Sequence, residues 1–359
     1  MDFALSADQL QMQASVAGVL DRVASLEAVR AYASGDESVG RDVWRALSEL
    51  GVSAILTPTE FGGLGLGLLD ATLIAETLGS RVAPGPFIST AVLVPLAIGA
   101  AGDVGQKGRW LPKLADGSAT AGVALNEAFV GVRDASGVVA EYGRLTGESD
   151  FALDAADADV VLVADRDGSL HLVEAGAFEP TPISTIDATR RFARLRFAGA
   201  AAEPLPGGSK VLSTLRRAAQ VILAADMLGA SQAMLDKAVS YAKERRQFGR
   251  PIGSFQAVKH LCAEMAAEIE PARSLVWYSA YAFDSAPEEA DLVAAHAKAH
   301  LSEVSRFVAR TATEVHGGIG FTDLLGLHYW FKRIGAGRQI FGGPRQARDL
   351  AARLQGIAA

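Results

Sequence analysis

The chain has 359 residues, half of them hydrophobic, one cysteine and a net charge of −7. That length holds two or three domains with a substantial core. The acidity argues against a general nucleic-acid binder, which carries a basic patch. Cys262 alone excludes an internal disulfide, and its apolar helical surroundings predict a small buried residue. The six histidines lack paired metal-ligand spacing, so no metal site is expected.

From Ser6 to about Gly117 the pattern is helical. Ser6 can N-cap a helix whose apolar residues Leu10, Ala14, Ala17 and Leu20 recur at helical spacing. Val43, Trp44, Leu47 and Leu50 repeat the pattern before Gly51. A glycine-dense loop, Thr57 to Gly67, follows, and no GK[ST] makes it a phosphate loop. Leu68 to Leu78 resumes a helix that Pro84-Gly85-Pro86 breaks. The N-terminus has no basic or long apolar leader, and the apolar run from Thr90 to Ala101 is too short to span a bilayer. A soluble, cytoplasmic protein is expected.

Near Ala119 the texture changes to short strands. They are Ala121–Leu125, Gly137–Ala140, Asp159–Ala164, Leu170–Val173 and Arg194–Phe197, with a hairpin turn at Asp165-Arg166-Asp167-Gly168. From Ser213 the chain is helical again, in long runs to Arg246, from Phe255 to Phe283, from Pro287 to Val315, and after Pro344. The fold class read from this order is α+β and mostly α. Residues 1–118 form an N-terminal helical domain, 119–207 a middle antiparallel β domain, and 208–359 a C-terminal four-helix bundle.

The stretch Glu244-Arg245-Arg246-Gln247-Phe248-Gly249-Arg250-Pro251 carries the clearest chemistry. Its arginines can grip a phosphate by bidentate, charge-assisted hydrogen bonds, and Phe248 offers a face to a purine. Gly249 and Pro251 stop the helix. Basic residues also suit a helix C-terminus for its dipole alone.

This stretch, together with Glu314-Val315-His316-Gly317-Gly318-Ile319-Gly320-Phe321-Thr322, Leu327-His328-Tyr329-Trp330-Phe331-Lys332-Arg333, Glu60-Phe61-Gly62-Gly63-Leu64-Gly65-Leu66 and Ala83-Pro84-Gly85-Pro86, resembles the acyl-CoA dehydrogenase superfamily. The likeness runs in order through nearly the whole chain. Its nearest flavour is the actinobacterial branch acting on bulky acyl-CoA thioesters such as steroid side chains. The resemblance implies a homotetramer or α2β2 heterotetramer with FAD at subunit interfaces, and an electron-transfer flavoprotein as acceptor. It places Arg245 on the FAD pyrophosphate and Gln247 and Phe248 beside the adenylate half. Gln256, Glu314, Gly317, Gly318 and Gln346 fall at further FAD-contacting positions. Glu314 stands where the family usually has Gln.

The resemblance also shows departures. The family's base is a Glu in a Tyr-Glu-Gly-Thr-Ser-Gln-like motif; here the stretch reads Phe341-Gly342-Gly343-Pro344-Arg345-Gln346, and Gly342 cannot accept a proton. A minority of the family places the base near Ala219, where no acid stands and Gln220 replaces an arginine. Asp226, two turns on, is the remaining candidate base. The flavin loop reads Asn126-Glu127-Ala128-Phe129-Val130-Gly131, and Phe151-Ala152-Leu153 replaces Trp-Ile-Thr, so Leu153 lacks the hydroxyl. These losses imply the non-catalytic subunit beside a homologous catalytic partner. The alternatives are a self-sufficient enzyme using Asp226, and a flavin-free scaffold or thioester-binding protein.

Overall fold

The computed structural model describes residues 4–131 and 137–358, so Met1, Asp2 and Phe3 of the N-terminal stretch lie outside the described residues. The N-terminal helices are α1 (Ala7–Val23), α2 (Leu26–Ala33), α3 (Glu37–Glu49), α4 (Leu68–Ser80), α5 (Val94–Ala101) and α6 (Val104–Ala115). Ser6 caps α1 as its position predicts: its hydroxyl accepts from Gln9 N at 3.1 Å, and Gln9 Oε1 accepts from Ser6 N at 3.0 Å. This reciprocal box satisfies two otherwise orphaned donors. Val43, Trp44 and Leu47 face the core, whereas Leu50 sits at the C-cap of α3 and is exposed. In the glycine-dense loop a Cβ on Gly63 would lie 1.9 Å from Thr57 O, so the loop closes only on glycine. After Pro86 the chain forms a π-helical turn, Phe87–Leu93, that runs into α5, fully buried.

A short helix, α7 (Asn126–Val130), sits among the strands β1 (Ala121–Ala124), β2 (Gly137–Glu141), β3 (Arg144–Leu153), β4 (Val160–Ala164), β5 (Leu170–Glu174), β6 (Glu179–Ile183), β7 (Phe192–Ala201) and β8 (Glu203–Pro204). The sheet order is β6-β7-β3-β1-β4-β5-β8, with β2 on β3. The expectation of an antiparallel domain needs one correction: β1 and β4 pair in parallel, Ala121 to Ala124 against Val160 to Val163. The hairpin turn between β4 and β5 is present, with Gly168 N donating to Asp165 O. Two strands had no alternating signal. β6 carries Pro180 and Pro182, which only an edge strand tolerates. The polar, glycine-containing β3 is stabilised by long-range pairing with β7.

The C-terminal region is α8 (Gly208–Glu244), the small hairpin of β9 (Arg246–Gln247) and β10 (Arg250–Pro251), α9 (Gln256–Ser285), α10 (Pro287–His316), α11 (Leu327–Gly337) and α12 (Pro344–Leu354). α9 passes through Pro271 without ending there. At 37 residues, α8 is about 55 Å long. It is apolar and long enough to cross a membrane, but 94% of its most apolar window is buried inside the fold. Cys262 on α9 is half-buried, not sequestered as the apolar pattern suggested.

α8 is the axis on which the domains meet. A Cβ on Gly79 of α4 would lie 2.0 Å from Asp226 O, and one on Gly229 of α8 would lie 1.8 Å from Glu76 O. The two glycines let α4 and α8 approach backbone to backbone, so the N-terminal helices and the bundle share one continuous core. Beside this contact lies a buried ionic knot. Asp226 accepts from Arg190 Nη2 at 2.7 Å and from Arg333 Nη2 at 2.7 Å and Nε at 3.1 Å. Arg190 Nη1 reaches Asp187 at 3.1 Å, and Arg333 Nη1 donates to Ala83 O at 3.1 Å. The knot ties α8 and α11 to the β6–β7 connection and to the segment after α4.

Breaking a buried pair by removing one partner leaves uncompensated charge, at a cost of about 3–5 kcal/mol. Asp226→Ala leaves buried Arg333 without its ion pair and Arg190 with Asp187 alone, and is expected to destabilise by that amount, measured as a fall in the denaturant midpoint of the protein.

Candidate functional site

The sequence-predicted residues fall into two groups. Arg245 is the C-cap of α8, and the β9–β10 hairpin that follows pairs Arg246 with Pro251 and Gln247 with Arg250. Phe248 stands at its tip with a left-handed backbone (φ 51°) and is 90% exposed. Arg246 Nη2 donates to Gly249 O, and the Arg250 guanidinium lies 4.1 Å from the centre of the Phe255 ring. The hairpin is therefore held by its own contacts while Phe248 projects. The Arg245 side chain has no ion pair among the described residues. Gln256 opens α9 nearby and contacts His260.

Tyr241 stacks on His316 with ring centres 4.8 Å apart. That contact brings the C-terminal ends of α8 and α10 together. Glu314, Gly317 and Gly318 thus lie exposed at the same end of the bundle as Arg245. Gly317 (φ 63°, ψ −145°) ends α10 in a conformation that favours glycine. An exposed guanidinium, a projecting aromatic ring and an open glycine turn on one surface fit the phosphate and purine of a dinucleotide. Glu314 adds an acid to this surface, which disfavours phosphate at that point.

Gln346 and Gly342 are elsewhere. Gln346 is at the start of α12, where its Oε1 accepts from Gly343 N at 2.8 Å and its Nε2 donates to Val130 O at 3.3 Å. Two pockets flank the Phe341–Gly342 turn. One, about 240 Å³, is lined by Asn126, Phe151, Phe192, Ile340, Phe341 and Gln346 among others. The other, about 250 Å³, is a cleft bounded by Phe129, Arg216, Gln220, Gly342, Asp349 and Arg353 among others. The wall between them is Phe341 with Phe129, edge to face at 5.4 Å. Gln220 lies in the first half of α8 and the hairpin follows its C-terminal end: the 25 residues from Gln220 to Arg245 span about 37 Å along the helix. One extended dinucleotide cannot reach both groups within a single chain.

The turn is rigidly supported. Phe341 (φ 56°) and Gly342 (φ 110°) both have positive φ. A Cβ at Gly342 would meet only ordinary contacts, so the glycine is required by backbone angle rather than by space. Beneath the turn, fully buried Lys298 of α10 caps the end of α11 by donating to Gly337 O and, at 3.1 Å, to Ile340 O. Burial, with Arg190 and Arg338 nearby, pushes its amine down to about 7. On the strand side, Glu127 accepts from Ser149 Oγ and Asp150 N, each at 2.7 Å, fixing α7 against β3 just before Phe151.

The cleft is polar and incompletely satisfied. Gln220 is 5% exposed, and its Oε1 has no partner among the described residues. Arg216 lies 5.6 Å from the Phe129 ring centre; burial and Arg353 push its guanidinium down, against the pull of Asp291. These groups, which the motif-based reading did not single out except for Gln220, can take a ligand bearing an anion and a hydrogen-bonding group.

Neither candidate base position carries a usable base. Gly342 has no side chain. Burial opposes ionisation of Asp226, but Arg190 and Arg333 outweigh it and hold the carboxyl below the usual range. A carboxylate bonded to two guanidiniums is a weak acceptor of a carbon-bound proton. The cavity that Asp226 faces, shared with Ile222, Leu153 and Phe87, is only about 20 Å³, room for one water. Buried Leu153 offers no hydrogen-bond donor. Among the described residues no group of His, Cys, Asp and Glu could hold a metal ion.

Comparison with known proteins supplies the family. Residues 6–118 match the N-terminal domain of acyl-CoA dehydrogenases and residues 208–354 the C-terminal domain. Acyl-CoA dehydrogenase IpdE2 of Mycolicibacterium smegmatis is 32% identical over 355 residues, covering 98% of this chain and all of that protein. Among solved structures, a variant of the Tcur3481-Tcur3483 steroid ACAD superposes with a TM-score of 0.88 at 27% identity, over 97% of this chain and 98% of that one. The ChsE4-ChsE5 complex from Mycobacterium tuberculosis also gives 0.88, at 26% identity over the whole of both chains. The chain belongs to the acyl-CoA dehydrogenase family.

Proposed function

We propose that this chain is the non-catalytic subunit of an FAD-dependent, α2β2 acyl-CoA dehydrogenase that forms the α,β double bond of a bulky, steroid-like acyl-CoA thioester. FAD is the cofactor of the family and accepts the β-hydride when bound. The observation that carries the reading is the division of the site. The surface of Arg245, Phe248 and Gly317 fits a dinucleotide tail, while the distant turn has Gly342 where a base is needed.

Arg245 serves as the pyrophosphate clamp, and Gln247, Phe248 and Gln256 line the adenylate. The FAD ring then lies in the homologous partner, which supplies the base. The resemblance to steroid ACAD and ChsE4-ChsE5 complexes supports a partner subunit and a bulky substrate. An electron-transfer flavoprotein takes the electrons, and the complex works in the cytoplasm. In this chain Gly342 and Asp226 leave a thioester in the cleft of Arg216 and Gln220 unreacted.

Expressed alone, the chain is expected to give no turnover with an artificial electron acceptor. Co-expressed with a catalytic paralogue from its own gene neighbourhood, it forms an active flavin complex. Yellow, active protein from this chain alone overturns the proposal. In the complex, Arg245→Ala removes a charge-assisted phosphate contact of about 1.5–3 kcal/mol, which corresponds to FAD binding weakened about 10–100-fold. Equilibrium dialysis of FAD checks it; unchanged affinity removes Arg245 from the clamp.

Gly342→Glu in this chain is expected to confer no turnover, since Leu153 still offers no donor and Asp226 remains ion-paired. Steady-state assay of the variant alone reads the result.

A further inference from the structure

The cavity beside Asp226 holds a second acid that the proposed function does not use. Asp154 follows the last residue of β3 in a left-handed conformation (φ 54°) and lines the cavity together with Trp44, Arg190 and Arg333. Its Oδ2 lies 2.6 Å from Ser89 Oγ, in the π-helical turn of the N-terminal domain. Ser89 Oγ also lies 3.1 Å from Pro86 O. A hydroxyl has one proton and cannot donate to both. If Ser89 donates to Pro86 O, its oxygen is an acceptor, and the bond to Asp154 then needs a proton on the carboxyl.

The charge count agrees. Three guanidiniums, Arg190, Arg191 and Arg333, stand among three carboxylates, Asp187, Asp226 and Glu37, with which they pair. With Lys298 uncharged, these groups sum to neutrality when Asp154 is protonated. Tyr32 of α2 adds a phenol whose titration is pushed upward, first by burial, and so contributes no charge. Lys298 of α10 interacts with Arg190 and Asp226. Burial pushes Asp154 up to about 7, against the opposing pull of Ser89 and the three arginines.

We propose that Asp154 and Ser89 form a proton-dependent latch that closes the end of β3 onto the N-terminal helical domain. In the closed form the Asp154 carboxyl donates to Ser89 Oγ, and Ser89 donates to Pro86 O. Trp44, whose Nε1 has no partner among the described residues, lines the same cavity, which has room for one water. Loss of the proton places an unmatched negative charge in the knot and turns the Ser89 hydroxyl away from Pro86 O. The strand end that loosens is three residues from Phe151, which borders the pocket beside Phe341. The latch does not depend on which subunit carries the chemistry.

The sign of the pH effect follows from linkage. The acid binds its proton more tightly folded than unfolded, so its contribution is largest in acid and is lost as pH rises from about 4 toward 7, then stays level. Asp154→Asn keeps a donor toward Ser89 and removes the titration. The variant is expected to match the wild type in Tm near pH 5 and to exceed it by about 2–4 °C at pH 8. A gap that does not widen with pH, or a variant less stable by the same amount at both values, overturns the proposal. Infrared spectroscopy of the wild type gives an independent reading: a protonated-carboxyl band that titrates near neutrality supports the latch, and its absence at pH 6 overturns it.

Discussion

The carboxylate of Asp226 between Arg190 and Arg333 is the interaction on which the rest of the molecule depends. It sits on α8, where α4 packs so closely that glycine is required on both helices. Its two arginines come from the β6–β7 connection and from α11, and Arg333 extends the contact to Ala83 O. The knot thereby adds a polar tie between three regions that also share one continuous hydrophobic core. The cost of burying four charges is offset by mutual pairing and by hydrogen bonds to the remaining donors, which is the condition for a buried ionic cluster to persist.

That commitment also decides chemistry. A carboxylate that holds two guanidiniums cannot serve as the base on the inner face of α8, and the knot leaves beside it a space only the size of a water. The outer turn has Gly342. What stays open is the far end of the bundle, where the hairpin after α8 projects Phe248. The length of α8 separates these two regions. The surface that fits a dinucleotide tail and the turn at Gly342 thus lie far apart along α8.

Much of this was legible in the residues. The N-cap at Ser6, a helix stop near Arg246, the hairpin turn at Asp165 and the order of helical, strand and helical segments all follow from local rules that act over a few residues. Gly342 and Leu153 showed that no acid and no hydroxyl stand at those two positions, because the lack of a functional group is fixed by residue type. The strands β3 and β6 were not legible. β3 is polar and glycine-containing and is stabilised by pairing with β7, which is distant in sequence, while β6 carries alternate prolines and pairs with β7 along one edge only. The parallel pairing of β1 with β4 was equally hidden, because strand direction leaves no trace in composition.

The sequence by itself determined the domain order, the arginine and aromatic stretch that follows a helix stop, and the absence of an acid at residue 342, since these rest on periodicity, turn chemistry and residue type. Only the tertiary structure decided that Asp226 is an ion-pair hub. It also set Gln346 beside Gln220 in one cleft, about 37 Å along α8 from Arg245, and set Asp154 against Ser89. Each of these depends on groups brought together from distant segments, and a pairwise electrostatic or hydrogen-bonding contact has no signature until the chain has folded.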